Sequence, residues 1–488
     1  MTTPTIRLRQ MIGGTWADGA GTAERSENPA DPDGAPVAEY LTASEVQLEQ
    51  AMAAAAAAAR DWDRRGLLSR GQVLRRAALL MEDRAENLAM LMTREQGKSL
   101  ADSRGEVGAS VETLHYHAAA ARRPNGATYP SSHPDEVVRT IRRPVGTVAV
   151  ITPWNFPLQI PVWKIAPALL WGNPVVWKPA SDTPAMAVAL AEILVEAGVP
   201  DGALNLLLGP GHLGAALVAH PDTAAVTFTG SVAVGHSIRD AVVPRGAKLQ
   251  LELGGHNAAV VLPDAHLPSA ADAIVAGAMG STGQKCTATR RVIAVGDCYD
   301  ALVGELADRV EALVVGPGAD EGTALGPVVS AKARDEITTA LQQAIDEGAA
   351  VLATAPVPDT PGHWVAPTLL AGTPELTICR EEVFGPVTTV LRAADLDAAV
   401  ELANATDFGL TASVFTRDQR TARRCVDDLV AGLVKVNAPS TGSELHAPFG
   451  GLRDSSFPAP REQASDSAAE FFTVGKTAYE RLAPGEDS

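Results

Sequence analysis

The feature that most constrains the fold is a regular alternation of apolar runs and helix-length segments between residues 145 and 255. The apolar runs VGTVAVIT, PVVWKPA, ALNLLLG and AAVTFTG are each followed by a segment with helical character, such as TPAMAVALAEILVEAGVP. Apolar strands that alternate with helices predict a parallel sheet covered on both faces. This segment therefore predicts an α/β nucleotide-binding architecture, with ligands at the carboxyl ends of the strands.

The remainder of the chain predicts further units, and a length of 488 residues fits two or three domains. A second alternating block runs from about 256 to 440, and the first 120 residues predict mainly helices. Residues 122–144 predict an exposed hairpin, and AEFFTVGKTAYE (469–480) predicts an isolated aromatic strand. Because a lone strand must pair, we expect it to pair with a neighbouring subunit of a homodimer or homotetramer.

The charge and the cysteine spacing bear on partners and location. The formal net charge is −18 and there is no basic stripe, so neither nucleic acid nor an anionic membrane is expected as a partner. The most apolar stretch, 148–172, is interrupted by four prolines and by Lys164, which argues against a membrane span. The four cysteines form no CxxC or Cys/His cluster, so no metal site is predicted. Scattered free cysteines fit a reducing compartment, so a cytoplasmic location is predicted.

Several predicted strand ends carry residues suited to a nucleotide. In FTGSVAVG (228–235), Gly230 and Gly235 let backbone amides approach a phosphate at a helix N-terminus. Lys178 could hydrogen-bond ribose hydroxyls, although a solvated lysine is the commoner explanation of such a position. The run GPGHLG (209–214) matches the G-x-G-x-x-G spacing but is equally typical of an ordinary strand-to-helix turn.

Three further residues are candidates for catalysis. Asn155, in TPWNFP, is either an oxyanion donor or a turn-forming residue. Glu252 ends an apolar strand, where burial suits a general base, but a capping or salt-bridged glutamate fits the same position. Cys286, in GSTGQKCTATRR, is a nucleophile if positive charge or backbone amides favour its thiolate, and otherwise an inert packing residue. Lys285 and Arg290 would help only if they point inward.

In this order these motifs resemble the aldehyde dehydrogenase superfamily. The matching stretches are ITPWNFP, GNPVVWKPAS, FTGSVAVG, LELGGHN, GQKCTATRR, EEVFGPV, NATDFGLTASVFTRD and HAPFGGLRDSS, which span most of the chain. The resemblance implies a Rossmann-like nucleotide-binding domain (1–121 and 145–254), an α/β catalytic domain (255–465) and a small β oligomerisation module (122–144 and 466–488).

The resemblance also implies roles for individual residues. Cys286 takes the nucleophile position, Asn155 the oxyanion position and Glu252 the general-base position, while Lys178 holds a ribose and Glu462 aligns with a glutamate on the proton route. The implied cofactor residues are Ile151, Thr152, Trp154, Lys178, Ser181, Gly211, Phe228, Thr229, Gly230, Ser231, Val234, Leu253, Gly254, Glu382 and Phe384. The candidate substrate-pocket residues are Phe156, Gln159, Trp163, Lys285, Thr287, His446 and Phe449.

Two of these positions refine the expected reaction. Relatives that pass the acyl group to coenzyme A tend to lack a glutamate at the position of Glu252, so hydrolysis to the free acid is expected. NAD-preferring relatives often carry a glutamate at the position of Ser181, which repels a 2′-phosphate. Ser181 therefore implies use of both NAD and NADP, with a preference for NADP.

The substrate is the least determined part of the prediction. The stretches QIPVWKIAPALLWGN and GLVKVNAPSTGSELHAPFGG look most like 2,5-dioxopentanoate dehydrogenases, which implies a short semialdehyde with an acidic group. The run His256–Ala258 and the loop GGLRDSSFPAPREQ depart from the usual family pattern, so another aliphatic, aromatic or secondary-metabolic aldehyde stays open. The alternatives from other classes are a non-redox cysteine hydrolase and an inactive binding relative.

Overall fold

The structure is a computed structural model that describes residues 4–458 and 465–481. Its strands are β1 (Ile6–Arg7), β2 (Gln10–Ile12), β3 (Thr15–Ala17), β4 (Ala23–Ser26), β5 (Ala38–Leu41), β6 (Thr128–Tyr129), β7 (Glu136–Pro144), β8 (Thr147–Ile151), β9 (Val175–Lys178), β10 (Leu204–Leu206), β11 (Thr223–Thr229), β12 (Lys248–Glu252), β13 (Asn257–Val261), β14 (Thr289–Val295), β15 (Ala350–Thr354), β16 (Thr368–Ala371), β17 (Val387–Ala393), β18 (Thr411–Phe415), β19 (Leu433–Val436), β20 (Ser456–Phe457) and β21 (Thr473–Arg481).

Its helices are α1 (Glu45–Arg64), α2 (Leu67–Asp83), α3 (Ala85–Gln96), α4 (Leu100–Ala120), α5 (Gln159–Leu170), α6 (Pro184–Glu196), α7 (Gly211–Ala219), α8 (Val232–Val242), α9 (Leu267–Met279), α10 (Tyr299–Glu311), α11 (Ala331–Asp346), α12 (Leu396–Asn404), α13 (Gln419–Asp428) and α14 (Ser465–Phe472). Helix α6 shows how local sequence sets such bounds. Pro184 suits the first helical turn, and Gly198 adopts the left-handed φ of +104° just beyond the end.

The alternating segment 145–255 forms the centre of an eight-stranded sheet. The strand order is β20-β12-β11-β8-β9-β10-β2-β3, and the five central strands, from β12 to β10, run parallel. Buried side chains cover both faces, as the apolar runs predict. The register brings Ile151 opposite Lys178, and Thr229 opposite Glu252, at the carboxyl edge of the sheet. The predicted α/β fold is confirmed here.

The second alternating block forms a seven-stranded sheet. Its order is β15-β16-β17-β14-β13-β18-β19, and β15 alone of these strands pairs antiparallel. Two buried apolar clusters flank it. Gly254 and Gly255 lie between the last residue of β12, Glu252, and the first residue of β13, Asn257. The carboxyl edge of the first sheet is therefore joined directly to the amino edge of the second.

The tail differs from the prediction of a lone strand that pairs with another subunit. Strand β21 pairs antiparallel with β7 of the same chain, in a small sheet of order β21-β7-β6. The residues just before it, which were predicted as part of the strand, belong to α14. Phe471 and Phe472 are buried in the core of the first sheet, and this burial explains why a helix forms there.

The N-terminal region is mainly helical, as predicted, but it also contains short strands that the sequence did not indicate. Helices α1 to α4 occupy residues 45–120 as expected, but the strands β1 to β5 precede them. These strands are two to four residues long. Strands of that length carry too few residues for a period-two pattern to stand out in the sequence.

Candidate active site

The carboxyl edge of the first sheet and the amino edge of the second bring the predicted catalytic residues together. Glu252 ends β12, Asn155 follows β8, and Cys286 lies three residues before β14. These residues come from distant parts of the sequence. They meet because strand ends of two sheets lie at one seam.

The segment that leads into Cys286 has an unusual backbone. Ser281 and Thr282 have left-handed φ values of 53° and 56°, a conformation that residues other than glycine rarely adopt. The N–H of Ser281 donates to Asp102 Oδ2 at 3.2 Å, and Thr282 Oγ1 donates to the carbonyl of Gly326 at 2.9 Å. These contacts hold a turn that the backbone alone disfavours.

The carbonyl of Cys286 is fixed by residues at the connection between β12 and β13. Asn257 Nδ2 donates to the Cys286 carbonyl and to the Ala288 carbonyl, both at 2.8 Å. A Cβ at Gly255 would lie 2.5 Å from the Cys286 oxygen, so only glycine allows this approach. Cys286 itself is half-buried, whereas Cys298, Cys379 and Cys425 are buried.

Arg290 points inward, towards the cysteine segment. Its guanidinium is buried and donates to the carbonyls of Gly385 at 2.7 Å and Gly283 at 2.8 Å. Burial lowers the pKa of Arg290 to about 10, while the charges of Glu382 and Cys286 act in the opposite direction. Arg290 is therefore a cation whose charge reaches the thiol, which favours its thiolate.

Asn155 is held against the same segment. Its Nδ2 donates to the carbonyl of Gln284 at 3.0 Å, and its Oδ1 accepts from the N–H of Phe156 at 3.1 Å. Asn155 is 5% exposed. Because a primary amide has two N–H groups, the one bond to Gln284 leaves a second donor for a ligand oxygen.

A buried ion pair supports Asn155 from below. Lys98 Nζ lies 2.6 Å from Glu106 Oε2 and donates to the Asn155 carbonyl at 2.6 Å. Glu106 Oε1 accepts from the N–H groups of Leu158 and Gln159, at the start of α5. Neither charged side chain is more than 1% exposed. The pair therefore fixes both the Asn155 backbone and the N-terminus of α5.

Glu252 is held by a residue from far along the chain. Its Oε2 accepts a hydrogen bond of 2.6 Å from Ser456 Oγ, on the edge strand β20. Glu252 is 3% exposed and lines a cavity that Cys286 also lines. The burial of Glu252 agrees with the requirement for a general base. Glu462, the other predicted glutamate, lies outside the described residues.

Two cavities meet at Cys286. The larger, of about 370 Å³, is lined by Ala109, Phe156, Gln159, Ile160, Trp163, Thr229, Glu252, Lys285, Cys286, Thr287, Thr441, Gly442, Ser443 and Phe449. It contains every predicted substrate-pocket residue except His446. His446 lies on a loop with its side chain 64% exposed, and it is not among the residues that line this cavity.

The smaller cavity, of about 260 Å³, holds much of the predicted cofactor set. Its lining is Pro153, Trp154, Asn155, Thr229, Gly230, Ser231, Leu253, Gly254, Cys286, Glu382 and Phe384. Burial raises the pKa of Glu382 to about 7, against the opposing effects of Arg290 and of the Gly255 N–H that bonds it at 3.2 Å. Phe384 contacts Trp154 edge to face, with ring centroids 5.6 Å apart.

The remaining predicted cofactor residues lie along the same edge, but not all are accessible. Ile151 and Phe228 are part of the apolar core, and Thr152 Oγ1 accepts from Trp177 Nε1. Gly211 begins α7. Ser181 Oγ donates to the Gly209 carbonyl at 3.1 Å.

The donor set at this edge fits a nicotinamide dinucleotide. Helix α8 begins after Ser231 with no side-chain cap, so its first N–H groups can receive a phosphate. Val234, in the first turn of α8, is 49% exposed and offers an apolar surface to a flat ring. Burial lowers the pKa of Lys178 to about 8, against the effect of Asp182, and its ammonium can donate to ribose hydroxyls.

Other features lie apart from this seam. A surface groove of about 710 Å³ is lined by residues of β1, β4 and β5 and contains none of the predicted site residues. Among the described residues, no His, Cys, Asp and Glu side chains cluster closely enough to bind a metal. Nor does any helix within them combine the length and apolarity needed to span a bilayer.

The structure adds positioning residues that sequence reasoning missed. Lys98, Asn257 and Ser456 each bond a catalytic candidate directly, and Glu106 acts through Lys98 and the start of α5. The departures from the family pattern at His256–Ala258 and in GGLRDSSFPAPREQ include Asn257 and Ser456, but nothing in the sequence marked Lys98 and Glu106 as buried.

Comparison with known proteins assigns the chain a family and relatives. The sequence model of the aldehyde dehydrogenase family matches residues 16–478. The chain is 40% identical over 488 residues to the alpha-ketoglutarate semialdehyde dehydrogenase of Haloferax volcanii, an alignment that covers 98% of this chain and 100% of the relative. It is also 40% identical over 479 residues to the 2,5-dioxopentanoate dehydrogenase of Saccharolobus solfataricus, with 97% and 100% covered.

Solved structures show the same fold. Betaine aldehyde dehydrogenase from Staphylococcus aureus, in complex with NAD+, superposes with a TM-score of 0.93 at 31% identity, over 98% of this chain and 95% of that one.

Proposed function

This chain belongs to the aldehyde dehydrogenase family, and from that premise we propose that it oxidises a short semialdehyde to the carboxylic acid with Cys286 as the nucleophile. One observation carries the role of Cys286. Cys286 and Thr229 are the two residues that line both cavities at the seam. A thiol placed between a site for the aldehyde and a site for a hydride acceptor is what this oxidation requires.

The first half of the reaction acylates the enzyme. The Cys286 thiolate, favoured by the charge of Arg290, attacks the aldehyde carbon. Asn155 Nδ2 and the backbone N–H of Cys286 hold the resulting alkoxide, and each such donor typically contributes about 3–4 kcal/mol. When bound, the nicotinamide supplies the hydride acceptor. Loss of the hydride from the substrate carbon leaves a thioester on Cys286.

The second half releases the product. Glu252 takes a proton from a water molecule, which attacks the thioester and frees the Cys286 thiolate. The hydrogen bond from Ser456 holds one carboxylate oxygen in place. A glutamate in this position supports hydrolysis to the free acid rather than transfer to coenzyme A.

The substrate that the relatives favour carries its own carboxylate. Three relatives, including the alpha-ketoglutaric semialdehyde dehydrogenase of Bacillus subtilis, share 40% identity and are named for 2,5-dioxopentanoate or its synonym. We therefore propose 2,5-dioxopentanoate, or an acidic aldehyde of similar length, as the substrate.

The cofactor proposal is use of both NAD and NADP, with a preference for NADP. A carboxylate at position 181 would repel a 2′-phosphate, and Ser181 places none there. Initial rates with each cofactor test this, and strict use of NAD would contradict it. Ser181→Glu should shift the ratio towards NAD.

We also propose that the sheet β21-β7-β6 joins subunits, as the module assigned to 122–144 and 466–488. Apolar side chains on it are exposed, among them Val137 at 50% and Tyr479 at 68%. Because α14 packs in the first core, we propose that β6, β7 and β21 alone form this module. The cytoplasmic location stays a prediction.

Replacement of one sulfur tests the central assignment. Cys286→Ala should abolish aldehyde-dependent reduction of the cofactor, by more than about 10³-fold, because the covalent route is lost. Cofactor affinity, followed by fluorescence of the reduced form, should be retained. Undiminished oxidation would contradict the proposal, and cofactor-independent ester hydrolysis without any aldehyde oxidation would support a non-redox cysteine hydrolase instead.

A further inference from the structure

The substrate cavity contains two charged side chains of opposite sign. Apart from Cys286, whose thiolate is the nucleophile, only Glu252 and Lys285 of the lining residues carry charge. Glu252 belongs to the deacylation step and would repel an acidic substrate. Lys285 is therefore the one cation that the described part of this cavity offers to a carboxylate.

Helix α5 offers no alternative cation on its cavity side. The residues of α5 that line the cavity are Gln159, Ile160 and Trp163. Trp163 packs on Phe449, with ring centroids 5.6 Å apart, and Phe156 completes an apolar wall. The charged residue next to Trp163, Lys164, is fully buried and donates to Thr227 Oγ1 at 3.0 Å.

The ammonium of Lys285 differs from those of Lys98 and Lys164 in its lack of a bonding partner within the described residues. Lys98 is paired with Glu106, whereas Lys285 makes no side-chain hydrogen bond or ion pair within the described residues. Burial lowers its pKa, Asp102 and Glu106 oppose that shift, and Lys98 adds to it. Glu106 is already committed to Lys98, and Asp102 Oδ2 accepts from Ser281 and Ser99. Lys285 is half-buried, and a cation partly removed from solvent without an acceptor is costly, so an anion entering the cavity would be favoured.

We propose that Lys285 is the receptor for the substrate carboxylate, which it holds while the aldehyde carbon of the same molecule lies at Cys286. This inference rests on the proposed oxidation of acidic semialdehydes. Neighbouring residues of the chain carry the nucleophile and the cation, and the lysine stem has four carbons. The short distance from this cation to the nucleophile selects a small substrate molecule with an aldehyde at one end and a carboxylate at the other. The hydroxyls of Thr287, Thr441 and Ser443 line the same cavity and can bond the carboxylate oxygens.

A rival role for Lys285 is activation of its neighbour, the Cys286 thiol. The two roles predict different substrate dependence. A carboxylate receptor acts on acidic aldehydes alone and chiefly through KM. An activator of the thiol acts on every aldehyde and shifts the pH profile of acylation.

The test compares 2,5-dioxopentanoate with pentanal, a neutral aldehyde of the same chain length, on the full-length enzyme. In Lys285→Met the ratio of the two kcat/KM values should fall by about 10- to 100-fold, because a charge-assisted bond to the acid is lost. Lys285→Arg should keep most of the ratio. Lys332→Met, a lysine 84% exposed on α11, is the matched control and should not change it.

The outcomes separate the inference from the proposed function. If the wild-type enzyme prefers the acidic aldehyde and Lys285→Met keeps that preference, the role of Lys285 is overturned while the proposed function stands. An equal loss on both aldehydes with a shifted pH profile also overturns it, in favour of thiol activation. If the wild-type enzyme prefers pentanal, the acidic substrate itself is wrong, and the inference fails with it. Should Lys285→Met not fold, competitive inhibition by glutarate in Lys285→Gln and Lys285→Arg gives the same comparison.

Discussion

At the scale of residues, the Lys98–Glu106 pair supports Asn155, the proposed oxyanion donor. Both charges are out of contact with solvent, and between them they bond the Asn155 carbonyl and two N–H groups at the start of α5. Removing one member of such a pair leaves the other charge buried without compensation.

This pair provides a stability prediction with a matched control. Glu106→Gln should lower the free energy of unfolding by about 3–5 kcal/mol, because the Lys98 ammonium keeps its burial and loses its counter-ion. Glu86→Gln removes one side of the exposed Glu86–Arg104 pair and should have little effect, since solvent screens that pair. Urea denaturation measures both. Equal effects of the two substitutions would contradict the assigned role.

Lys178 provides a prediction on pH. Burial holds its pKa near 8, so its ammonium is charged below that pH and becomes neutral as the pH rises through it. The affinity for the anionic cofactor should therefore be highest below about pH 8 and fall above it. Lys178→Met should weaken binding by about tenfold at neutral pH and flatten this dependence. Fluorescence titration of the reduced cofactor measures both, and a flat wild-type profile would argue against contact with Lys178.

At the scale of elements, the end of the chain divides into a helix and a strand with different roles. Phe471 and Phe472, at the end of α14, belong to the first core, whereas β21 lies on the small surface sheet with β7. A deletion that begins at residue 469 would therefore damage both the first core and the small surface sheet.

Two truncations separate these roles. A chain that ends at Phe472 should stay folded and lose self-association, because β7 loses its partner strand. A chain that ends at Ala468 should also have a lower thermal midpoint, since each buried phenylalanine contributes about 3–5 kcal/mol. Light scattering and calorimetry measure the two effects. An oligomer of unchanged mass in the chain ending at Phe472 would defeat the assignment of the small sheet.

The elements also show which signals the sequence carries. Strands such as β8 and β9 are buried along their whole length, so they appear as apolar runs and were predicted. The two-residue strand β1 is exposed and leaves no such run. The aromatic pair in α14 favours a strand by propensity, but packing against the core decides for a helix.

The same contrast holds in the site. Asn155 follows β8 and Glu252 ends β12, so their convergence could be expected from the topology of the first sheet, whereas Cys286 precedes β14 of the second sheet. Lys98 lies two residues before α4 and Glu106 lies within α4, positions where lysine and glutamate usually face solvent. Their burial follows from the tertiary packing of α4 against α5, which no local pattern reports.

At the scale of the whole molecule, the four cysteines fall into two classes. Cys286 is half-buried at the seam, and the other three are buried, with pKa values that burial raises. Iodoacetamide should therefore modify a single thiol of the folded protein, with loss of activity in proportion, because the thiolate is the reactive form. Mass spectrometry of the peptides identifies the site. Rapid modification of a second cysteine, or full activity after modification of Cys286, would contradict this.

Strand β20 has a consequence for how the enzyme is made. Ser456 reaches back to Glu252 from near the end of the chain, and α14 follows it to complete the first core. Protein synthesis proceeds from the N-terminus, so Glu252, the proposed general base, emerges before β20, the strand that positions it. Catalytic competence therefore requires β20, and translation products that end before Ser456 should be inert.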